Sequence, residues 1–249
     1  MSNGREAQVI DTFLALTDTL VGDFDSLDML TMLSERSVEL LDVTAAGVIL
    51  TDGTGPDGAL SVAAASTERT RLLEVFAVGI DAGPCVDCVR SGQPVISEDL
   101  SRSGARDRWP HYTQGALDAG FRATHALPMR LRGDVVGVLT LLHTDQHTLT
   151  DVDTRLGQAL ADAATIGLLH ERAVRRAETV TEQLQHALHS RVIIEQAKGV
   201  LATQADIRPD EAFTVLRSHA RSHGLRLTDL ARNVVERTVD LTSIVRPAL

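Results

Sequence analysis

The 249-residue chain is 43% hydrophobic and 23% charged, a globular composition that excludes intrinsic disorder and is long enough for about two domains. Its net charge of −10 excludes indiscriminate nucleic-acid binding by the whole surface, yet residues 190–249 carry nine Lys or Arg against seven Asp or Glu, leaving a net of −12 on residues 1–189. No apolar run approaches the roughly 20 residues of a membrane span, and Glu6, Asp11 and Asp18 fall where a signal peptide would be basic and then apolar, so a cytoplasmic protein with no membrane partner is expected.

Two amphipathic helical patterns open the chain. Val9, Ile10, Phe13, Leu14, Leu16 and Leu20 carry the first, and Leu27, Leu30, Leu33, Val38 and Leu41 the second. AAGVILTD and ALSVAAAS then read as strands joined through Asp52-Gly53-Thr54-Gly55-Pro56 and Asp57-Gly58. ERTRLLEVFAVG is predicted helical, GPCVDCVRSG starts a short helix after Pro84, and PVISEDL is a brief strand. SRSGARDRWPH reads as a loop holding the only Trp, Trp109, for which closing over a pocket on the sheet is one reading and plain packing the other. RATHALPMRL and DVVGVLTLLHT, parted by Arg132-Gly133-Asp134, make the clearest hairpin in the chain. Strands with intervening helices and a closing hairpin predict an α+β fold with an antiparallel sheet rather than repeated βαβ units.

From Thr150 to Pro209 the pattern is helical, with Thr150 as cap and Asp151 and Asp153 favourably set against the helix dipole. Ile166, Ala173, Val180, Ala187 and Ile194 recur at heptad spacing, interleaved with His170, Ala177, Leu184 and Arg191. This spacing predicts a parallel coiled-coil homodimer, whereas the start of the helix, to about Leu169, is expected to lie on its own sheet. Two further helices are predicted, one from Pro209 to Ser222 ended by Gly224, and one capped by Thr228.

Catalytic signatures are lacking: there is no G-x-S-x-G, no phosphate loop and no H-E-x-x-H. Asp52 follows a strand but lacks the acidic and βα context of a phosphoacceptor. Cys85 and Cys88 form a C-x-x-C without further ligands at metal-binding spacing. A helix start after Pro84 would lower a thiol pKa, so redox sensing is one reading and buried structural cysteines the other. In SRVIIEQAKGVLATQ, the residues Ile193, Ala197, Val200, Leu201 and Gln204 share a predicted buried face, while Arg191, Glu195, Lys198 and Ala202 share the opposite one. In the following helix Ala212, Phe213, Leu216 and Ala220 are predicted core, with Thr214, Arg217 and Arg221 outward.

The run from Ser190 through Glu195-Gln196-Ala197-Lys198-Gly199, Asp210-Glu211-Ala212-Phe213, Leu216-Arg217 and Leu227-x-Asp229-x-Ala231 resembles an ANTAR domain, the three-helix RNA-binding module of bacterial antitermination regulators. GPCVDCVRSGQPVISEDL, the RWP segment and PMRLRGDVVGVLTLLH resemble a GAF domain, and the order GAF then ANTAR is an arrangement met in actinobacterial regulators. The resemblance implies a GAF-like sensor over residues 1–169, a helical coiled-coil linker over 170–189 and an ANTAR domain over 190–249. It implies a non-enzymatic protein that binds paired RNA stem-loops in nascent transcripts through Arg191, Ile194, Glu195, Ala197, Lys198, Gly199, Arg217 and Arg221. Cys85, Cys88 and Trp109 would line the sensor pocket for a small-molecule effector or a redox signal, with the cofactor unknown. The chain departs from the family at Arg208, where a Ser-like helix cap is usual, at Ala202 in place of Met, and at Cys88 in place of Ala. No cyclic-nucleotide signature is present, so no ligand carries over. The rival reading is a ligand- or redox-responsive sensor whose helical tail binds a protein partner.

Overall fold

Residues 2–18, 25–52, 58–146 and 149–245 are described by the structure, a computed structural model, and belong to two units, Met1–Ala173 and Val174–Leu249. The first contains α1 (Ser2–Asp18), α2 (Ser26–Leu41), β1 (Ala45–Thr51), β2 (Leu60–Ala65), α3 (Glu68–Gly79), α4 (Pro84–Ser91), β3 (Val95–Ser97), α5 (Ser103–Arg108), α6 (Pro110–Asp118), β4 (Ala123–Leu131), β5 (Asp134–His143) and the first part of α7 (Asp151–Ala205). The strands form one five-stranded sheet in the order β2-β1-β5-β4-β3, and every pairing is antiparallel.

Both faces of this sheet are covered, which is why β4 and β5 read as nearly continuous apolar runs. Successive side chains point to opposite faces. Ala46, Val48, Leu127, Leu139 and Leu141 pack with Leu30 and Leu33 of α2 and with Leu160 and Ala164 of α7. Ala45, Ile49, Ala126, Val138 and Leu142 pack with residues of α3, α4 and α6. The β4–β5 turn has positive φ at both Arg132 (54°) and Gly133 (99°), the backbone hand that matches the twist of a tight hairpin. Gly137 of β5 allows β1 to approach, because a Cβ there would lie 2.4 Å from the Ile49 carbonyl oxygen.

Local capping follows the sequence. The Asp25 carboxylate accepts from the Leu27 N–H at 2.8 Å, Thr67 accepts from the Thr70 N–H at 3.2 Å, and Thr150 accepts from the Asp153 N–H at 3.1 Å. Other expectations are corrected. Ile10, Leu14 and Leu27 are 59%, 58% and 54% exposed: α1 buries only the narrower stripe Val9, Thr12, Phe13 and Leu16, and the buried face of α2 starts at Met29 and Leu30. SRSGARDRWPH is not a loop but α5 and the start of α6, with Trp109 at their corner and Pro110 at the first turn of α6, where a missing N–H costs nothing. Leu20 and the turn residues Gly53 to Asp57 lie outside the described residues.

The second unit holds the remainder of α7, α8 (Pro209–Ser222), α9 (Leu227–Val235) and α10 (Leu241–Val245). Its core joins Ile193, Ala197 and Leu201 to Ala212, Leu216 and Ala220, and to Leu230, Ala231, Val234 and Ile244. Gly224 follows α8 at φ 65°, as a helix-ending glycine should. Three details differ from the sequence reading. The short helix α10 adds Ile244 to the core; α9 begins at Leu227 after Arg226, so Thr228 lies inside the helix instead of capping it; and Gln204 is exposed while Phe213 is only half-buried. At Arg208 a guanidinium has no acceptor with which to cap α8. The compensation runs the other way, with the Glu211 carboxylate accepting from the Arg208 N–H at 3.4 Å.

Along α7, Leu160, Ala161, Ala164 and Leu168 are buried, whereas residues 173–189 are all exposed. Among the described residues no helix is long and apolar enough to cross a membrane.

Candidate functional site

In the second unit the predicted polar row is partly formed. Arg191, Glu195 and Gly199 are exposed on α7, and Arg217 and Arg221 are exposed on α8. Among the described residues the three arginines make no ion pair. A Cβ on Gly199 would meet open space, so nothing in the free unit requires glycine there. Ile194 is half-buried, and Ala197 is wholly buried. The latter is a correction: a residue in the middle of this helical core cannot touch a ligand on this surface.

Lys198 differs from a free surface cation. Its Nζ donates to Glu195 Oε2 at 2.8 Å and Oε1 at 3.0 Å, and it lies 5.7 Å from the centroid of the Phe213 ring. The Lys198 side chain is 16% exposed against 59% for Glu195. Its alkyl stem covers apolar surface while its charge is balanced one helical turn away. Sequence spacing showed that Glu195 and Lys198 share a face but not that they pair.

The α8–α9 corner was missed by the motif reading. His219 and His223 stack with centroids 4.0 Å apart and planes 20° from parallel, and Arg226 is exposed beside them in sequence. The available signal was the four-residue spacing of the two histidines, which places them one turn apart on the same helical face.

In the first unit, Cys85 and Cys88 are free, buried thiols on α4. The Cys88 thiol faces the Ala126 carbonyl oxygen at 3.5 Å. Burial pushes its pKa up to about 12, outweighing the lowering by Arg130. Cys85 is held well above the usual thiol range by burial first and then by the negative charge of Glu74. The activating effect of the helix start is therefore overridden, and neither thiol is poised for redox chemistry at neutral pH. Trp109 is 5% exposed; its Nε1 donates to Asp87 Oδ2 at 3.0 Å, while Arg108 binds the same oxygen and lies over the indole ring. Trp109 thus packs into the corner of α5 and α6, tied to α4. A surface cleft of about 600 Å³ lies nearby along Ile96, Asp99, Arg102 and Ala105, and none of Cys85, Cys88 or Trp109 lines it.

Glu74, which the sequence reading passed over, is the buried charge of this region. It is 0% exposed and neither carboxylate oxygen has a hydrogen-bond partner. Gly47 of β1 makes room for it, since a Cβ there would lie 3.2 Å from Glu74 Cγ. Burial raises its pKa to about 7; the Thr140 and Cys85 side chains are near enough to oppose that rise in part, without hydrogen bonds of ordinary geometry. Tyr112 is held well above its usual range by burial and then by Glu74. Among the described residues no group of three or more His, Cys, Asp or Glu is placed to hold a metal ion.

The family model of the GAF domain matches residues 25–169 and that of the ANTAR domain matches residues 182–235. No curated protein matches the chain. Among solved structures it is similar to the GAF domain of a phosphoenolpyruvate-protein phosphotransferase from Coxiella burnetii, at 15% identity and a TM-score of 0.51, covering 68% of this chain and 98% of that one. It is also similar to the chromophore-binding domain of a bacteriophytochrome from R. palustris, at 9% identity and a TM-score of 0.50, covering 69% and 63% of the two chains. At such identities the likeness establishes the fold of the sheet-bearing unit and nothing further.

Proposed function

Because the chain belongs to the GAF domain family and carries a C-terminal ANTAR domain, a combination that fits a regulator binding RNA, we propose that it is a signal-responsive transcription antitermination regulator. GAF and ANTAR domains are regulatory rather than catalytic. In this reading the ANTAR domain of a homodimer grips paired hairpins in a nascent transcript and holds an antiterminator in place of a terminator. Residues 1–169 sense a small-molecule effector, 170–189 form the coiled-coil linker, and 190–249 bind RNA.

The observation that carries the RNA reading is the ANTAR match over residues 182–235 together with the exposed Arg191, Arg217 and Arg221, which among the described residues make no ion pair. Lys198 joins them by exchanging Glu195 for a phosphate; Ile194 lies between Arg191 and Lys198 along α7, and Gly199 directly follows Lys198. The homodimer is supported by Val180 and Leu184, which stand on the heptad seam and are 48% and 60% exposed, with Leu188 and Val192 adding exposed apolar surface next to it on the same helix. Burying such a seam on a second copy supplies the association energy.

Crosslinking the protein to RNA in cells and sequencing what is recovered tests the proposal. Enrichment of transcripts with two adjacent hairpins before a terminator is expected. Recovery of a protein partner with no enriched RNA would reject it in favour of a helical tail that binds protein.

A further inference from the structure

Residues 212–228 hold three arginines and two histidines with no Asp or Glu, in a chain of net charge −10. Within that stretch the two imidazoles are already ordered. His223 Nδ1 lies 2.9 Å from the His219 carbonyl oxygen and 3.0 Å from Ser222 Oγ. A carbonyl only accepts, so Nδ1 carries the hydrogen and Nε2 is the acceptor of the neutral ring. These contacts pin the His223 ring above His219, 4.0 Å away. One ring face is thereby covered, and the residue is otherwise exposed. Burial first, and then His223, hold the His219 pKa below the ordinary imidazole value, which favours an uncharged lower ring. Gly224, next in the chain, has open space where a Cβ would stand, and Leu225 is 48% exposed. Arg217, Arg221 and Arg226 are exposed and, among the described residues, make no ion pair.

We propose that the His219–His223 stack is a platform on which one unpaired nucleobase of an RNA loop stacks, with Arg226, three residues on from His223, meeting a phosphate next to it, while Arg217 and Arg221, two residues from the histidines and therefore on another face of α8, meet the RNA backbone elsewhere. The inference rests on the RNA reading above and deepens it by naming where a base, as distinct from the backbone, is received. Loop bases are unstacked and present π-faces to planar side chains. A ring already fixed by hydrogen bonds loses little freedom when a base settles on it. These arginines supply the salt-dependent attraction that the acidic remainder of the chain opposes.

The test uses hairpin RNAs recovered by the crosslinking experiment, resynthesised with 2-aminopurine at each loop position in turn and titrated with the full-length protein. Binding should quench the fluorescence at one loop position. His223→Ala should weaken binding roughly 5- to 100-fold and remove that quenching, with the slope of log affinity on log salt unchanged. His223→Phe, which stacks but carries no charge, should bind like the wild type. Arg221→Ala should make the salt slope shallower by about 0.7 and keep the quenching. Circular dichroism should show unchanged helicity in all three, since these side chains are exposed. A folded His223→Ala protein with wild-type affinity and quenching overturns the platform while leaving the RNA reading intact. Loss of binding in His223→Phe with a shallower salt slope also overturns it, making His223 a phosphate contact. If the wild-type protein recovers no RNA from cells, the RNA reading itself fails and the platform with it.

Discussion

Replacing Glu74 with Gln removes a carboxylate that sits wholly inside the sheet-bearing unit. In the folded protein this group titrates at about 7, against 4.5 for the unperturbed side chain, because burial disfavours its charge. Between those two values the folded state binds more protons than the unfolded one, so stability must fall as pH rises through this window and level off above it. A difference of this size corresponds to about 3 kcal/mol. The penalty is absent below pH 4.5 and fully present above pH 7. Gln has the shape of the neutral acid and does not titrate; its constant offset does not vary with pH. The quantity to measure is therefore the difference in unfolding free energy between Glu74→Gln and wild type, from urea titrations at several pH values between 4 and 8. Trp109, the only tryptophan, belongs to the same apolar cluster as the helices around Glu74, and its fluorescence reports unfolding of this unit alone. The variant should gain about 3 kcal/mol relative to wild type on going from pH 4.5 to pH 8. A difference that stays constant across that range would mean that Glu74 titrates normally, and would refute the argument from burial.

Three other outcomes are expected. Val180→Asp combined with Leu184→Asp should convert a dimer to a monomer in sedimentation experiments at micromolar concentration; a wild type that is already monomeric with and without RNA would remove the coiled coil from the mechanism. Glu195→Gln should release Lys198 from its ion pair, tightening hairpin binding and steepening the salt slope by up to about 0.7, and an unchanged slope would show that Lys198 meets no phosphate. Cys85 and Cys88 should resist thiol reagents in the folded protein, because a pKa of about 12 in place of 9.0 for Cys88 lowers the thiolate population about a thousandfold at neutral pH; rapid modification of either without unfolding would restore the redox-sensor reading.

Much of this organisation was legible in the order of residues. The β4–β5 hairpin announced itself through Arg132-Gly133 between two apolar runs, and α4, α7 and α8 through Pro84, Thr150 and Pro209, because a turn or a cap is decided by residues within a few positions of one another. The RNA-binding resemblance was likewise carried by a contiguous run, Ser190 to Ala231. The burial of particular side chains was decided elsewhere. Ile10, Leu14 and Leu27 look like core residues in the sequence, yet each is more than half exposed. Ala197 and Lys198 are neighbours in the chain, but the packing of α8 and α9 puts Ala197 in the core and lays Lys198 over Phe213. Trp109 finds its partner 22 residues back in Asp87. Glu74 gives the sharpest case. Its own helix would leave a glutamate free to reach water, but α3 lies on the sheet at Gly47, whose missing side chain opens just enough space to enclose the carboxylate. Helix and turn preferences act over one or two turns of chain, whereas desolvation depends on which distant surface arrives to exclude the water. Only the tertiary structure could therefore turn Glu74 from a surface acid into a group that titrates near neutrality.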